Sequence, residues 1–396
     1  MTTERADVFK AGRHAATLAR TTGGVEFSYL PDYLGSAVAT AIASTLPLTD
    51  QPRVTAAGAV PPYFAGLLPE GRRLTNLRQT IKTSADDELS LLVAVGADPI
   101  GDVQVVAAGD QPGDVEAIAT VEKNFSDIRF SDLLRDAGII DPIGIAGVQD
   151  KVSARVLSLP VRRAHERFIL KLDPPGYPHV VENEAFFIAL SARAGIPTVD
   201  AAVVRDVEGR PGLLVTRFDR VVHNGAPTRL AVEDACQAQD LWPADKYNTT
   251  AERTAQALIR LCAAETIAAR DVFRQLVFAW LTGNGDVHAK NLSALTHPDG
   301  ETRIAPGYDL PSTVLYGDKT LALSIEGKRS GLSRRLFLQF AAKLGMREKA
   351  AGDILDRLLD STSNLDDALS DAAIPFDNAI LQRARRELTL RRKQLL

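Results

Sequence analysis

The feature that most constrains this chain is an apolar helical segment that ends at glycines and leads directly into a cluster of polar side chains. Val272, Leu276 and Trp280 recur at helical spacing, which predicts a buried helix. Gly283 and Gly285 then interrupt the helical pattern. Because a buried helix holds its C-terminal loop rigidly, the polar residues that follow are predicted to form a catalytic loop.

The polar residues of this loop have the spacing of a phosphoryl-transfer site. Asp286 and Asn291 stand five positions apart. Protein kinases use this spacing for the aspartate that orients the attacking hydroxyl and the asparagine that holds magnesium. His288 and Lys290 lie between the two. The spacing alone occurs by chance in many chains, so the surrounding sequence has to supply the specificity.

A predicted hairpin brings one more carboxylate to this loop. Residues 291–296 and 301–305 have the pattern of two short strands, and a His-Pro-Asp-Gly turn joins them. The chain then reaches Asp309, which we expect to lie beside Asn291 as a second oxygen ligand for a metal ion. The alternative for these residues is a pair of ordinary polar turns.

Two further segments predict the groups that hold phosphates. The alternating strand 168–172 places Lys171 on the face opposite its apolar residues, where a kinase keeps its phosphate lysine. Glu184, in a predicted helix over 182–195, is expected to pair with that lysine. The alternative is an edge-strand lysine whose ammonium group reaches solvent. A glycine turn at 145–156 is expected to lay backbone N–H groups over phosphates, with Lys151 as an added donor.

The strand at 212–220 ends where a kinase hinge would offer backbone groups to an adenine. Phe218 is expected to form one wall of that pocket. Asp219 and Arg220, at the end of this strand, fit either a part of the hinge or an ion pair.

Composition and length set the limits of the fold. The 396 residues are 45% hydrophobic, which is enough for two or three domains with full cores. The net charge of −4 argues against nucleic acid as the partner of the whole surface. Cys236 and Cys262 form no disulfide or zinc pattern, and no apolar run approaches the ~18 residues of a membrane span. We therefore expect a soluble protein of the reducing cytoplasm, without membrane attachment.

The chain divides into three predicted parts. Residues 1–114 form an α/β unit, interpreted as a packing or partner-binding module because no chemistry is evident in it. Residues 115–245 contain the phosphate loop and hinge, and residues 246–396 form a mainly helical part with the catalytic loop. In the tail, residues 381–396 carry six basic residues against one acid. They form either a phosphate contact or a solvated helix face.

The order and spacing of these motifs resemble the HipA family, the serine/threonine kinase toxins of bacterial HipBA toxin–antitoxin systems. The pieces span most of the chain. In order, they are FAGLLPEG (64–71), AVGADPIGDVQV (94–105), AGVQDK (146–151), FILKLD (168–173), ENEAFF (182–187), VTRFDR (215–220), EDACQ (233–237), KYN (246–248), GDVHAKNLS (285–293) and PGYDLPS (306–312).

The resemblance implies a protein-kinase-like, two-lobed molecule with an α/β N-terminal half and a mainly α-helical C-terminal half, with ATP and Mg²⁺ bound between them. Asp286 would be the catalytic aspartate, accompanied in its motif by His288 and by Lys290, which would steady the transferred phosphate as a point charge. The remaining implied residues are the metal ligands Asn291 and Asp309, the phosphate-binding Lys171 with its partner Glu184, the phosphate loop Gly147, Gln149 and Lys151, and the adenine hinge Thr216 and Phe218.

The same resemblance implies a growth-arresting toxin that phosphorylates a component of translation, and family members act on aminoacyl-tRNA synthetases. A HipB-like helix-turn-helix antitoxin would be its partner and would provide most of the contact with operator DNA. Two other functions remain open from the sequence. One is a small-molecule kinase of the aminoglycoside type, and the other is a non-catalytic partner that serves only in repression by the antitoxin.

One departure from the family pattern concerns regulation. Family members carry a self-phosphorylated serine three residues, or one residue, before the glycine matched by Gly147. This chain has Gly144 and Ala146 there, and neither has a hydroxyl group. We therefore expect that the chain is not silenced by phosphorylation at these positions.

Overall fold

The computed structural model describes residues 3–84, 86–113, 119–120, 124–136, 157–163, 166–174, 176–370 and 374–396. None of the helices in these ranges is both long and apolar enough to cross a membrane.

The N-terminal unit is built on an antiparallel five-stranded sheet whose order is β4-β3-β2-β1-β5. Its strands are β1 Arg5–Lys10, β2 Arg13–Thr21, β3 Gly24–Tyr29, β4 Arg53–Thr55 and β5 Val103–Ala107. Its helices are α1 Pro31–Leu34, α2 Pro62–Ala65, α3 Gly71–Ile81 and α4 Glu88–Val95. The proline and glycine density of residues 61–71 predicts a loop that Tyr63 and Phe64 anchor on the core. The structure places one helical turn, α2, in this segment, and both side chains are buried as expected.

A second five-stranded sheet, of order β6-β7-β8-β10-β9, carries Lys171 and the segment predicted to be the hinge. The pairs are antiparallel except for β6 with β7. The strands are β6 Ala119–Thr120, β7 Leu157–Arg163, β8 Glu166–Leu172, β9 Ala201–Arg205 and β10 Pro211–Thr216. Helix α5 (Phe130–Asp136) precedes β7, and α6 (Val180–Arg193) connects β8 to β9.

Two small sheets accompany the two five-stranded ones. One pairs β11 (Arg220–His223) with β12 (Ala226–Arg229), and the other has the order β13-β14-β15. Strands β14 (Ser293–Thr296) and β15 (Thr302–Ile304) form the predicted hairpin. The sequence of residues 230–237 predicts the start of the helical remainder of the chain. This prediction is wrong, because Val232–Asp234 form strand β13 and pair with β14. Three residues are too few to display a strand period, and their partner strand begins about sixty residues later.

The C-terminal part packs around one long buried helix. Its helices are α7 Ala251–Leu261, α8 Glu265–Thr282, α9 Arg334–Lys343, α10 Glu348–Ser361, α11 Leu365–Ser370 and α12 Asn378–Leu395. Helix α8 is the one predicted before the catalytic loop, and its residues from Leu276 to Thr282 are all buried. Its core extends to α6 and to β10, so the loop that follows α8 is attached to a continuous packed interior.

Candidate active site

The loop after α8 is held by tight backbone turns. Gly283 has φ +72° and caps the helix in the left-handed region. A Cβ on Gly285 would lie 2.4 Å from the carbonyl oxygen of Thr320, so only glycine fits there. Asn284 accepts a hydrogen bond from the N–H of Asp286 at 2.9 Å. These turns and this hydrogen bond fix the backbone position of Asp286.

Asp286 and His288 share a buried environment with Tyr247. The Tyr247 hydroxyl donates to Oδ1 of Asp286 at 2.9 Å, and the Tyr247 and His288 rings pack edge to face. Burial, followed by the nearby Lys246 ammonium group, lowers the pKa of His288 to about 3. His288 is therefore a neutral imidazole near neutral pH.

The predicted metal ligands lie next to each other. Nδ2 of Asn291 donates to Oδ2 of Asp309 at 3.0 Å and to the carbonyl oxygen of Asp286 at 2.9 Å. Asp309 has φ +56°, a left-handed conformation that is strained for a residue other than glycine. The hairpin β14–β15 returns the chain to this point, as the sequence predicted.

Lys171 connects this group to α6. Its Nζ lies 2.7 Å from Oε1 of Glu184 and 3.1 Å from Oδ1 of Asp309. Burial alone would lower the pKa of Lys171, but the two carboxylates raise it above the ordinary lysine value. Burial would likewise raise the pKa of Asp309, whereas the Lys171 ammonium group holds it below its usual range. The site thus contains a permanent cation between two carboxylates, and the edge-strand alternative for Lys171 is wrong.

A cavity of about 360 Å³ opens from this ion cluster towards the hinge. Thr216 and Phe218 line it, and Phe218 stacks on Tyr308 at 5.5 Å between ring centroids. The N-terminal unit supplies the facing wall through Leu67, Leu68, Arg73, Pro99 and Ile100. The cavity has apolar walls and a charged end, which suits a ligand with a flat base and an anionic chain. The sequence reasoning assigned no such role to the N-terminal unit.

Lys290 does not project freely into the cleft. Its Nζ donates to the carbonyl oxygen of Gly66 at 2.9 Å and lies 2.9 Å from Oε1 of Glu70. The second oxygen of Glu70 pairs with Lys246. No sequence period could have revealed these contacts, because the partners lie more than 170 positions apart.

The structure brings together all but three of the predicted site residues. Gly147, Gln149 and Lys151 lie outside the described residues, as do Gly144 and Ala146. Asp219, for which two roles were open, forms ion pairs with Arg217 and Arg220 and is fully buried. It therefore has the structural role at the strand end.

Comparison with known proteins gives a consistent result for both halves of the chain. The model of the HipA N-terminal domain matches residues 6–106, and that of the HipA-like C-terminal domain matches residues 143–365. The chain is 29% identical over 367 residues to the "Putative kinase Y4mE" of Sinorhizobium fredii, covering 86% of each chain. It is 26% identical over 292 residues to the serine/threonine-protein kinase toxin HipA of Shewanella oneidensis, covering 67% of this chain and 66% of that one.

A solved structure confirms the fold. The HipA of Shewanella oneidensis MR-1, in a complex with HipB and its operator DNA, superposes with a TM-score of 0.79 at 20% identity. The superposition covers 98% of this chain and 97% of the other. The predicted α/β N-terminal half and mainly helical, kinase-like C-terminal half are therefore confirmed, as is the interpretation of the chain as a kinase. The model of the HipA-like C-terminal domain alone matches more than half of the residues of this chain. The protein therefore belongs to the HipA family of toxin kinases.

Proposed function

We propose that this protein is an ATP- and Mg²⁺-dependent serine/threonine-protein kinase that acts as the toxin of a type II toxin–antitoxin system. The observation that carries the proposal is the Lys171–Glu184–Asp309 ion cluster, with Asn291 against Asp309 at 3.0 Å. Lysine, paired glutamate, aspartate and asparagine are the groups that kinases use to hold phosphates and magnesium.

The donor set fits a magnesium nucleotide. Mg²⁺ prefers oxygen ligands from one or two side chains and takes the others from phosphates and water. Asp309 keeps its charge because Lys171 lowers its pKa, and Asn291 adds an amide. When bound, the ion would neutralise the charge that develops on the transferred phosphoryl group. Lys171 would contact the phosphates, and Thr216 and Phe218 would border the adenine.

Asp286 would orient the hydroxyl group of the substrate. Its Oδ1 is fixed by Tyr247 and its backbone by Asn284. Phosphoryl transfer needs little covalent help from the protein, so accurate placement of the attacking oxygen is the main contribution of this carboxylate. His288 would remain neutral beside it. Gly147, Gln149 and Lys151 would complete the phosphate loop.

A solved relative supports the proposed partner, and the family resemblance supports the proposed substrate. The HipA of Shewanella oneidensis was solved with HipB and operator DNA, and this supports a HipB-like antitoxin as the partner of this chain, with DNA contacted mainly through that antitoxin. We propose an aminoacyl-tRNA synthetase or another component of translation as the protein substrate. This substrate class rests on the family resemblance.

A growth experiment tests the biological part of this proposal. Overproduction of the wild-type protein is expected to arrest growth, whereas Asp286→Ala and Asp309→Ala should allow normal growth, because each removes a group that aligns nucleophile or metal. The amounts of folded protein should be matched by circular dichroism and immunoblotting. Growth arrest by a folded Asp286→Ala protein would contradict phosphoryl transfer as the cause.

A further inference from the structure

Helix α2 of the N-terminal unit, with the loop that follows it, contacts the kinase part of the chain, which comprises residues 115–396. Nε2 of Gln237, in the EDACQ motif, donates to the carbonyl oxygen of Tyr63 at 2.9 Å. A Cβ on Gly66 would lie 2.9 Å from the Gln237 side chain, so the two segments meet at close range. The FAGLLPEG motif, which carried no chemistry in the sequence, thus forms a direct contact with the kinase part.

Glu70, from this loop, is the anion shared by two lysines of the kinase part. Lys290 lies 2.9 Å from one carboxylate oxygen, and Lys246 pairs with the other. Both lysine side chains are largely buried, at 14% and 11% exposure. Burial opposes the charge of Glu70, but the two ammonium groups prevail and hold its pKa at about 2. The carboxylate therefore stays ionised at any pH at which a kinase works.

Both lysines are joined to the catalytic loop. Lys290 lies within the loop, directly before Asn291. The carbonyl oxygen of Lys246 accepts a hydrogen bond from the N–H of Ala289 at 3.2 Å. The next residue, Tyr247, donates to Asp286. A movement of Lys290 would therefore shift Asn291, the proposed metal ligand. A movement of Lys246 would shift Tyr247 and, through it, Asp286, which is proposed to orient the hydroxyl group.

Loss of the Glu70 charge would leave two buried ammonium groups next to each other without their shared counter-ion. A buried charge that loses its partner is strongly unfavourable, and like charges at short range repel. The lysines would then move apart or admit water, and the loop between them would shift. A misplacement of about 1 Å in a catalytic group can cost roughly 100-fold in rate.

We propose that Glu70 is a positioning residue for phosphoryl transfer, through which the N-terminal unit holds the catalytic loop in its active geometry. The inference rests on the proposed kinase function and deepens it, because it makes the N-terminal unit part of the catalytic apparatus. Glu70 acts through Lys246 and Lys290 and does not touch the reacting atoms.

The test compares Glu70→Gln with Glu88→Gln in the full-length protein. Glu88 is a partly buried glutamate of the same unit, and it accepts a hydrogen bond at 2.9 Å from the N–H of Val60, which belongs to that unit as well. Each protein is incubated with γ-labelled ATP, magnesium and a bacterial lysate, and the initial rate of protein labelling is measured. MgATP affinity by calorimetry and the thermal midpoint are measured in parallel.

For Glu70→Gln we expect a rate roughly 10- to 100-fold lower, with MgATP affinity within about twofold of wild type and a thermal midpoint like that of Glu88→Gln. The double variant Glu70→Gln/Lys246→Met, which also removes one of the two ammonium groups, should be no slower than Glu70→Gln alone, because both changes act on one linkage.

Three results would overturn the inference. They are equal rates for Glu70→Gln and wild type, a rate loss matched by lost MgATP binding or lost folding, and a double variant that is slower than Glu70→Gln alone. Absence of labelling by the wild-type protein would instead overturn the proposed function, and this inference with it. The two failures are therefore distinguishable in one experiment.

Discussion

Asp234 is a buried carboxylate on the wall of the cavity that is proposed to bind the nucleotide. It accepts a hydrogen bond from the N–H of Gln237 at 2.8 Å. Burial raises its pKa to about 6, and the nearby Lys290 ammonium group offsets only part of this effect. The native protein thus holds a proton on Asp234 at a pH at which an unfolded chain has already released it.

This difference predicts a pH dependence of stability. Because the folded pKa is raised, the contribution of Asp234 is fully present below pH ~4, the unfolded pKa, and is lost as pH rises through about 6. Asp234→Asn keeps the acceptor oxygen and has no proton to release. Relative to wild type, its free energy of unfolding should increase by roughly 2–3 kcal/mol between pH 4 and pH 7. Urea unfolding of both proteins at pH 4 and pH 7 measures this change. A difference in free energy of unfolding that does not vary with pH would contradict the raised pKa of Asp234.

The residues of the site differ in how far sequence could predict them. Glu184 was expected near Lys171, and Asp309 near Asn291. Oε1 of Glu184 lies 2.7 Å from Nζ of Lys171, and Oδ2 of Asp309 lies 3.0 Å from Nδ2 of Asn291. Those expectations depended on strand alternation and on a hairpin, which are local patterns. Glu70 was not foreseen, since its lysine partners come from another fold unit and no local pattern records such a contact. The roles in phosphoryl transfer remain predictions, as does the absence of self-phosphorylation at Gly144 and Ala146.

At the scale of elements, α12 supports α8, the helix that precedes the predicted catalytic loop. The basic tail was open to two interpretations, and its Arg391 follows neither, because the side chain is 1% exposed. The guanidinium stacks 4.2 Å from the Trp280 ring and donates to the carbonyl oxygens of Trp280 and Lys319. It also pairs with Glu387. Hydropathy alone counts arginine as a surface residue, so the sequence pattern could not distinguish this one from its exposed neighbours.

We predict that Arg391→Met destabilises the protein by about 2–4 kcal/mol, because it removes the buried guanidinium that donates to the Trp280 and Lys319 carbonyls and pairs with Glu387. Methionine keeps most of the apolar length, so the loss reports mainly the polar contacts. Chemical denaturation measures the effect. Arg386→Met, at an exposed position of the same helix, is the matched control and should change stability by less than ~0.5 kcal/mol. Equal effects of the two variants would show that Arg391 contributes no special support.

At the scale of the whole molecule, the N-terminal unit and the kinase part are joined by a buried ionic network. Asp98 contacts Arg220 at 2.8 Å, Arg229 at 2.9 Å and Arg217 at 3.0 Å. Asp219 pairs with two of these arginines. The sequence predicted an α/β unit at 1–114 that serves as a packing or partner-binding module. The network fixes this unit as one wall of the cavity.

We predict that Asp98→Ala destabilises the full-length protein by roughly 3 kcal/mol or more, because it leaves three guanidinium groups with one buried carboxylate between them. The variant should also weaken MgATP binding, since Pro99 and Ile100 line the cavity next to Asp98. Calorimetric titration and chemical denaturation measure the two effects. Asp110→Ala, at an exposed position beyond β5, should change neither. Wild-type stability in Asp98→Ala would contradict a network that joins the two parts.

The central claim is that Asp286 directs the transfer of phosphate from ATP to a protein, and labelled phosphate measures it most directly. Wild-type protein, γ-labelled ATP, magnesium and a bacterial lysate should yield a labelled protein band. Asp286→Asn, with its folding and MgATP affinity verified, should lower the labelling by at least ~100-fold, whereas Asp299→Asn, in the exposed β14–β15 turn, should retain it. Equal labelling by wild type and Asp286→Asn, or label found only in small molecules, would contradict the account.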